Sequence, residues 1–345
     1  MSAVASLRPA EIPQPNPYEY LRLGTAFCGA KVLLSALELD LFTLLCDDAA
    51  TEPQIRRQLG LHPRGTKTWL DCLVALGVLE RAGERYRCSP GARRHLVPGE
   101  PGYVGGFLER ADQLLYPAWG RFTAALRTGS PQSTTEPDEP YLTMCKDPDQ
   151  LEAFLGMMDT MNGPLGPELA GWLPWQDYAS VADVGGARGN LLGAIIRAHP
   201  HLEATVFDLP PVEPFFHEHM GQAGLAGRIR FCPGDFFSDP LPEADVLVIG
   251  HVLHDWALDE RRLLVRKAYQ AIRPMGTLLV YDPMLDEREP NLVNLIISLD
   301  LLLTTRGGAE YPSAECRSWL EEAGFSVDPP RRLGFIDTLI VGHKD

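Results

Sequence analysis

The chain has 345 residues, of which 45% are hydrophobic and 22% are charged; this composition is typical of a globular protein and excludes general disorder. The formal net charge of -15 argues against a protein that binds nucleic acid mainly through its phosphates, because such binding depends on Lys and Arg. The length predicts more than one domain, and the composition favours a small molecule as the partner.

The cysteines and the apolar segments indicate the compartment. The seven cysteines are scattered without a CxxC pair, so the sequence predicts neither a zinc site nor a disulfide framework. The N-terminus lacks the pattern of a signal peptide, and the apolar run 292–303 is only about half a membrane span. We therefore expect a cytoplasmic protein without a membrane partner.

The N-terminal part predicts a mainly helical domain over residues 1–100. Residues 18–45 are apolar on all sides, as in helices that are buried on several sides, and they require a further surface such as a second copy of the chain. Residues 51–95 predict a helix, a turn at Gly60, a second helix and a hairpin around Ala82-Gly83, which is the pattern of a winged helix.

The winged-helix segment keeps a DNA-binding alternative open. Residues 51–95 contain nine Lys or Arg and four Asp or Glu, whereas the rest of the chain is strongly acidic. A regulator that senses a small ligand would bind DNA through Arg64 and Lys67. Packing or dimerisation is the use that the acidic chain favours, so we expect no nucleic-acid partner.

The remaining sequence predicts a helical linker and an α/β domain. Residues 101–175 have a helical but irregular pattern, interrupted by a polar loop at 130–140. Residues 176–345 alternate short apolar strands with helices, which predicts βαβ units on a mostly parallel, doubly wound sheet. Ligands of such sheets bind beyond the carboxyl ends of the strands.

The turn VADVGGARGN (181–190) narrows the choice of cofactor. It lacks the GxxxxGK[ST] loop of triphosphate-binding proteins, and it fails the dinucleotide pattern GxGxxG twice, at Ala187 and Asn190. What remains is Asp183 followed by Gly185 and Gly189, which allow a close backbone approach. An acidic residue at this position suits a cationic ligand.

Two later strand ends support the same ligand. Asp208 ends ATVFD and can accept the two hydroxyls of a ribose, while Asp235 and Phe236 of GDFF (234–237) can bind an amino group and cover a ring. A sulfonium beside an amino acid, a ribose and an adenine is S-adenosylmethionine. Taken singly, Asp183 and Asp208 can equally be residues that merely terminate strands.

The whole chain also resembles a known family. The motifs are VADVGGARGN, TVFDLPPV (205–212), GDFFSDPLPEADVLVIGHVLHDW (234–256), YDPMLDERE (281–289), GGAEY (307–311) and WLEEAGF (319–325). They are similar to the small-molecule O-methyltransferases of the acetylserotonin and caffeate type, in their bacterial natural-product branch. The resemblance implies a Rossmann-like class I methyltransferase fold behind a winged-helix dimerisation domain, and a homodimer.

The resemblance also implies catalytic roles. The His of HDW is the general base of the family, which corresponds to His254, and Asp282 and Glu310 are the carboxylates expected beside it. Plant members usually have Glu at the position of Asp282. Many relatives have a lysine at Gly250, whose contact with the cofactor carboxylate would pass to His251, Arg188 or a backbone amide.

Two further sets of residues complete the expected site. The cofactor set is Asp183, Gly185, Gly189, Asp208, Leu209, Gly234, Asp235, Phe236, Gly250, His251 and Trp256. The acceptor set is Met157, Met161, Asn162, Asp255, Leu299 and Leu303, and it predicts an apolar, aromatic substrate. We expect no metal, because His217 and His219 lie two apart on a helix and do not share a face.

Within this fold the expected activity is methyl transfer from S-adenosylmethionine to a phenolic hydroxyl, with S-adenosylhomocysteine as the second product. Transfer to carbon or nitrogen is the nearest alternative, because the acceptor decides which atom receives the methyl group and His254 need not act. Use of the bound cofactor for a reaction other than methylation is a second alternative.

Overall fold

The computed structural model describes residues 16–100, 102–133, 141, 144–286 and 288–345. The chain divides into two compact units, Met1–Glu109 and Arg110–Asp345. Residues 101–175, for which the sequence predicts a separate helical linker, fall mostly in the second unit.

The first unit contains a helix-turn-helix followed by a hairpin. Helices Glu52–Gln58 and Pro63–Ala75 precede strands β2 (Leu79–Ala82) and β3 (Arg85–Cys88), which pair antiparallel, and β1 (Ala50–Thr51) pairs with the other edge of β3. Gly77 stops the second helix with a φ of 76°, a conformation that glycine adopts without strain. The other helices are Pro17–Gly24, Ala26–Glu38, Leu41–Leu44, Pro90–Leu96 and Gly105–Arg110, the last ending at the boundary.

The first helix and the beginning of the second are exposed in the single chain, whereas Leu34, Ala36 and Leu37 near the end of the second helix are buried. The predicted burial on several sides is therefore only partly reached within one chain, and the rest requires the further surface that the sequence predicts. Large apolar side chains stand in solvent there, including Tyr18, Leu21, Leu23 and Phe27. The segment Pro17–Glu38 is long and apolar enough to cross a membrane. Length and composition are weak evidence for a membrane span, because a core helix of a soluble protein or a signal sequence also meets these two criteria. An apolar surface of this extent is typical of a contact with another molecule.

The second unit is built on one twisted sheet. Its strands are β4 (Ser180–Val184), β5 (Glu203–Asp208), β6 (Ile229–Pro233), β7 (Ala244–Gly250), β8 (Ile272–Asp282), β9 (Ser326–Val327), β10 (Arg331–Leu333) and β11 (Asp337–His343). The order is β10-β11-β8-β7-β4-β5-β6, with β9 paired to β11. The pairs among β4 to β8 are parallel, and β11 runs antiparallel to β8.

Helices cover both faces of the sheet, because its central strands are apolar on both sides. Val181 and Val248 belong to one buried cluster, whereas Ala182 and Leu247 belong to another. The helices are Ala111–Leu115 (a π-helix), Tyr116–Trp119, Phe122–Thr128, Pro148–Asn162, Leu165–Leu169, Asn190–Ala198, Glu213–Gln222, Leu258–Ala271, Leu292–Thr304 and Ser313–Ala323. Short 3₁₀ turns occur at Trp175–Asp177, Pro210–Val212 and Leu253–Asp255.

Candidate active site

The strand order brings the sequence-predicted acids together at the carboxyl ends of the central strands. β8, β7, β4 and β5 are neighbours, and their carboxyl ends carry Asp282, Gly250, Asp183 and Asp208 respectively. β5 and β6 lie on one side of β4, and β7 and β8 lie on its other side, so the strand order reverses at β4. Doubly wound sheets bind their ligands at this switch point.

Asp208 organises the glycine turn. Its carboxylate accepts hydrogen bonds from the backbone N–H of Ala187 at 2.8 Å and of Leu209 at 2.7 Å. Ala187 has a φ of 49°, in the left-handed region, a conformation that glycine adopts more readily than alanine. A bond to a charged acceptor offsets the strain of about 1–2 kcal/mol.

Asp183 is buried and Asp208, at the end of β5, is half-buried, and this changes their acidity. Burial raises the pKa of Asp183 to about 7, with the nearby Asp208 adding to the rise. Burial also raises the pKa of Asp208 to about 6, against the lowering by its two backbone N–H donors. A cationic ligand stabilises both ionised forms, so the acids fit a sulfonium cofactor.

An aromatic cavity of about 290 Å³ adjoins the turn. The Trp256 ring meets the edges of Phe236 and Phe237, with centroids 5.7 and 4.6 Å away, and Tyr141 lies 5.8 Å from Trp256. The lining residues are Tyr141, Phe154, Met158, Gly185, Ala187, Asp208, Leu209, Asp235, Phe236, Phe237, His251, Val252, Asp255, Trp256 and Glu260. Such walls suit a flat heteroaromatic ring.

Asp235 and Gly234 shape the third strand end. The Asp235 carboxylate accepts from the Phe237 N–H at 2.9 Å and from the Ser238 hydroxyl at 3.3 Å, while it also faces the cavity. A Cβ on Gly234 would lie 2.7 Å from the Phe207 ring, so only glycine fits there.

His254 lies among three carboxylates. Its Nδ1 is 2.6 Å from Glu310 Oε1 and 3.6 Å from Asp282 Oδ1, and its Nε2 is 3.8 Å from Asp255 Oδ1. Only the Glu310 contact is short enough for a hydrogen bond. Asp282 instead accepts a hydrogen bond from the Tyr311 hydroxyl through Oδ2, and its Oδ1 has no hydrogen-bond partner among the described residues.

The carboxylates dominate the electrostatics of this histidine. Burial disfavours the imidazolium, but the charges of Glu310, Asp282 and Asp255 outweigh burial and raise the pKa of His254 well above its usual range. Asp255 is itself held by the Tyr141 hydroxyl, which donates to Oδ2 at 2.6 Å.

The segment around His254 differs from its sequence prediction. HVLHDW does not begin a helix: Leu253–Asp255 is a 3₁₀ turn, and the helix begins only at Leu258. His251 and His254 nonetheless lie side by side, with ring planes at 16° and centroids 5.9 Å apart. His251 Nε2 also contacts Asp337 at 2.8 Å, a partner that the sequence analysis missed.

A second, smaller cavity adjoins the same glycine turn. It is lined by Met158, Asp159, Asn162, Asp183, Gly185, Gly186, Ala187, Arg188, Asn190, Leu191, Gly250 and Tyr281. Arg188 is ion-paired with Asp159. A Cβ on Gly250 would overlap the ring of Tyr281, so this chain has no room for a lysine there.

The predicted acceptor residues are only partly brought together. Asn162 accepts from the Tyr281 hydroxyl at 3.1 Å and lines the small cavity, and Asp255 lines the large one. Met157 and Met161 are half-buried and line neither cavity, whereas Met158 lines both.

The two leucines of the acceptor set lie away from both cavities. Leu303 is fully buried against Ala118 and Ala125, and Leu299 is half-buried. Four residues that line the large cavity were not predicted from the sequence: Tyr141, Phe154, Phe237 and Glu260. Of these, only Phe237 has a signal in the sequence, because it follows Phe236 directly in GDFF. Within the described ranges, no group of three or more His, Cys, Asp or Glu is arranged to hold a metal ion.

Comparison with known proteins agrees with this geometry. The model of an O-methyltransferase domain matches residues 119–326, and that of an O-methyltransferase dimerisation domain matches residues 21–98. The tetracenomycin polyketide synthesis 8-O-methyl transferase TcmO of Streptomyces glaucescens is 48% identical over 331 residues, 95% of this chain and 97% of the relative. The N,N-dimethyltransferase OxyT of Streptomyces rimosus is 40% identical over 329 residues, 94% and 95% of the two chains.

A solved structure gives the same fold and the cofactor. Human N-acetylserotonin methyltransferase in complex with S-adenosylmethionine matches with a TM-score of 0.86 at 26% identity, over 97% of this chain and 99% of that one. The predicted fold class, enzyme class and cofactor are thereby confirmed. The chain belongs to the O-methyltransferase family and is an S-adenosylmethionine-dependent O-methyltransferase.

Proposed function

We propose that the protein methylates a phenolic hydroxyl of a small aromatic natural-product intermediate, with His254 as the general base. The observation that carries this proposal is the 2.6 Å contact between His254 Nδ1 and Glu310, next to Asp255, which lines the aromatic cavity. The polyketide 8-O-methyl transferase relative supports an aromatic hydroxyl as the acceptor. S-adenosylmethionine supplies the electrophilic methyl carbon.

The contacts of His254 support its role in taking the acceptor proton. If Nδ1–H donates to Glu310, Nε2 is left to accept a proton. A phenol of pKa about 10 and an ordinary imidazole of pKa about 6.5 are mismatched by roughly 3.5 units, or about 5 kcal/mol. Because the carboxylates raise the pKa of His254, they reduce this mismatch and stabilise the imidazolium that faces a phenolate.

The cofactor is assigned to the carboxyl ends of β4, β5 and β7. Asp183 would face the cationic end, Asp208 the ribose hydroxyls, and Asp235 with Phe236 and Trp256 the adenine. Gly185, Gly189, Gly234 and Gly250 leave room for close approach, and Leu209 and His251 complete the set. The burial of Asp183, the raised pKa values of both acids and the aromatic walls support this assignment.

A transfer assay tests the proposal. The purified protein is incubated with methyl-labelled S-adenosylmethionine and a panel of polycyclic phenols, matched aryl amines and methyl-blocked phenols. We expect label in the phenols only. Label in the amines instead would favour N-methylation, which the N,N-dimethyltransferase relative makes the second candidate. Tight cofactor binding without transfer to any acceptor would favour other chemistry.

Glu310 is expected to matter more than Asp282. Because only Glu310 is within hydrogen-bond distance of His254, Glu310→Gln should lower kcat about tenfold or more, whereas Asp282→Asn should lower it less. Loss of the Glu310 charge lowers the pKa of His254, so the acid limb of the kcat/KM profile should move to lower pH in Glu310→Gln. A larger loss in Asp282→Asn would reverse the ranking.

The protein is proposed to act as a homodimer through its N-terminal domain. The dimerisation-domain match and the exposed apolar face of the first two helices support this. We expect a dimer by sedimentation at micromolar concentration, and a monomer after Leu23→Glu combined with Phe27→Glu. A monomeric wild type would contradict the proposal.

We place the enzyme in the cytoplasm and assign it no nucleic-acid partner. The seven cysteines are all free, as is usual in a reducing compartment. Lys67, a residue that the DNA-binding alternative requires, is paired with Asp71 at 2.6 Å.

A further inference from the structure

One buried guanidinium connects the two segments that carry His254 and Glu310. Arg261 lies on the helix Leu258–Ala271 and is 6% exposed. Its Nε donates to the carbonyl of Trp256 at 2.7 Å. Its Nη2 donates to the carbonyl of Ala309 at 2.7 Å and to that of His254 at 3.3 Å.

The segments that Arg261 connects also contact each other directly. The N–H of Ala309 donates to the His254 carbonyl at 2.9 Å. A Cβ on Gly308 would lie 2.9 Å from the His254 carbonyl oxygen and 3.0 Å from that of Asp255, so a glycine is needed for this approach. Glu310 follows Ala309 immediately, and its distance from the His254 ring therefore depends on how these two backbones are held.

Two aromatic rings fix the guanidinium from its sides. The Cζ of Arg261 lies 4.7 Å from the ring centroid of Tyr311 and 5.6 Å from that of Trp319. The Tyr311 hydroxyl donates to Asp282, so the same cluster reaches the other carboxylate beside His254. Arg261 has no ion pair with a carboxylate among the described residues. Its guanidinium N–H groups donate to backbone carbonyls instead.

We propose that Arg261 is a positioning residue for methyl transfer, which sets the contact between His254 and Glu310 by holding the carbonyls of residues 254, 256 and 309. This inference rests on the proposed function, because it assigns a residue to the base described above. Arg261 touches neither cavity and takes no proton. Its effect on the reaction passes through the backbone of the two segments.

The substitution Arg261→Lys separates the effect of the guanidinium hydrogen bonds from the effect of the positive charge. Lysine keeps the cation but can reach fewer of the three carbonyls, so the two segments should move apart. Misplacement of a reacting group by about 1 Å can cost about 100-fold in rate, and we expect a fall in kcat of this order with a KM for S-adenosylmethionine within threefold. Arg262→Lys is the matched control, because Arg262 is next on the same helix and pairs with Glu322 at the surface.

The pH profile distinguishes positioning from mere stability. His254 is faced by Glu310, Asp282, Asp255 and His251, and lengthening only the Glu310 contact lowers the pKa of His254. The acid limb of the kcat/KM profile should therefore move to lower pH in Arg261→Lys and stay in place in Arg262→Lys, while S-adenosylhomocysteine binding confirms that both variants are folded.

A lower melting temperature with an unchanged profile and kcat would overturn the inference. If Arg261→Lys does not fold, Arg261→Gln takes its place; because it also removes the positive charge, it is judged by a fall in kcat at an unchanged KM for S-adenosylmethionine and not by the pH profile. Failure of both variants to fold would assign Arg261 to stability alone. Failure of the proposed function is separate, since it would appear as a wild type that transfers no methyl to any phenol.

Discussion

His254→Ala is expected to lower kcat by about 10²- to 10⁴-fold while leaving the KM for S-adenosylmethionine within a few-fold of the wild type. The substitution removes the proposed general base but leaves the strand ends assigned to the cofactor untouched. Activity should be reduced and not abolished, because holding the acceptor oxygen in line with the methyl group contributes to the rate without a base. Initial rates with a phenolic acceptor and labelled cofactor measure both parameters.

The acceptor's acidity provides an internal control for this variant. A phenol that already ionises near neutral pH needs no base, so an acidic phenol such as a nitrophenol should lose less rate in His254→Ala than an unsubstituted one. Equal losses for both would point to a role in packing, since removing the imidazole also leaves Glu310 and Asp282 buried without their shared partner. An undiminished rate would remove His254 from the mechanism.

The parallel strands and the acids at their ends were predictable because each strand and the residue that follows it form a local pattern. Asp183, Asp208 and Asp282 follow apolar runs, and parallel strands bring such ends together whatever their sequence separation. Ala187 illustrates the same logic. The absence of a glycine there excluded a dinucleotide loop, although only the structure shows that the alanine adopts a left-handed conformation stabilised by Asp208.

Other parts of the site depend on packing, which no local pattern reveals. The choice between Met157 and Met158 depends on the rotation of one helix about its axis, and a phase error of one residue changes which side chain faces a cavity. Asp337 reaches His251 because β11 runs antiparallel to β8 and begins at the catalytic edge. Arg261 acts on carbonyls, whose positions leave no trace in the sequence.

The second large effect is expected at Asp208. Asp208→Asn should raise the KM for S-adenosylmethionine about 10- to 100-fold, because a charged acceptor is worth about 1.5–3 kcal/mol per hydrogen bond and each 1.4 kcal/mol is tenfold. The asparagine oxygen can still accept from Ala187 or Leu209, which keeps the turn largely in place. Isothermal titration of S-adenosylhomocysteine gives the affinity independently of transfer.

Asp245 supplies the matched control for this prediction. Its carboxylate also accepts from backbone N–H groups, those of Ala179 and Ser180 at 2.8 and 2.9 Å, but at the amino end of β7, the opposite edge of the sheet. Asp245→Asn should therefore lower the melting temperature without changing cofactor affinity. If both variants weaken the cofactor equally, the effect of Asp208 comes from general destabilisation and the ribose assignment is wrong.

The pH dependence of binding separates the two acids of the turn. Their pKa values, about 6 for Asp208 and about 7 for Asp183, are raised by burial, so both acids lose their charge as the pH falls from 8 to 5. Because we assign cofactor binding to the ionised forms, affinity for S-adenosylmethionine should fall over this range. S-adenosylhomocysteine carries no sulfonium charge and should depend less on Asp183, whereas it keeps the ribose and its dependence on Asp208. In Asp208→Asn the dependence near pH 6 should disappear, whereas the sulfonium-specific part due to Asp183 should remain but move to lower pH, because the charge of Asp208 contributes to the raised pKa of Asp183. An identical profile for the two ligands in the wild type would show that neither acid senses the methyl-bearing charge.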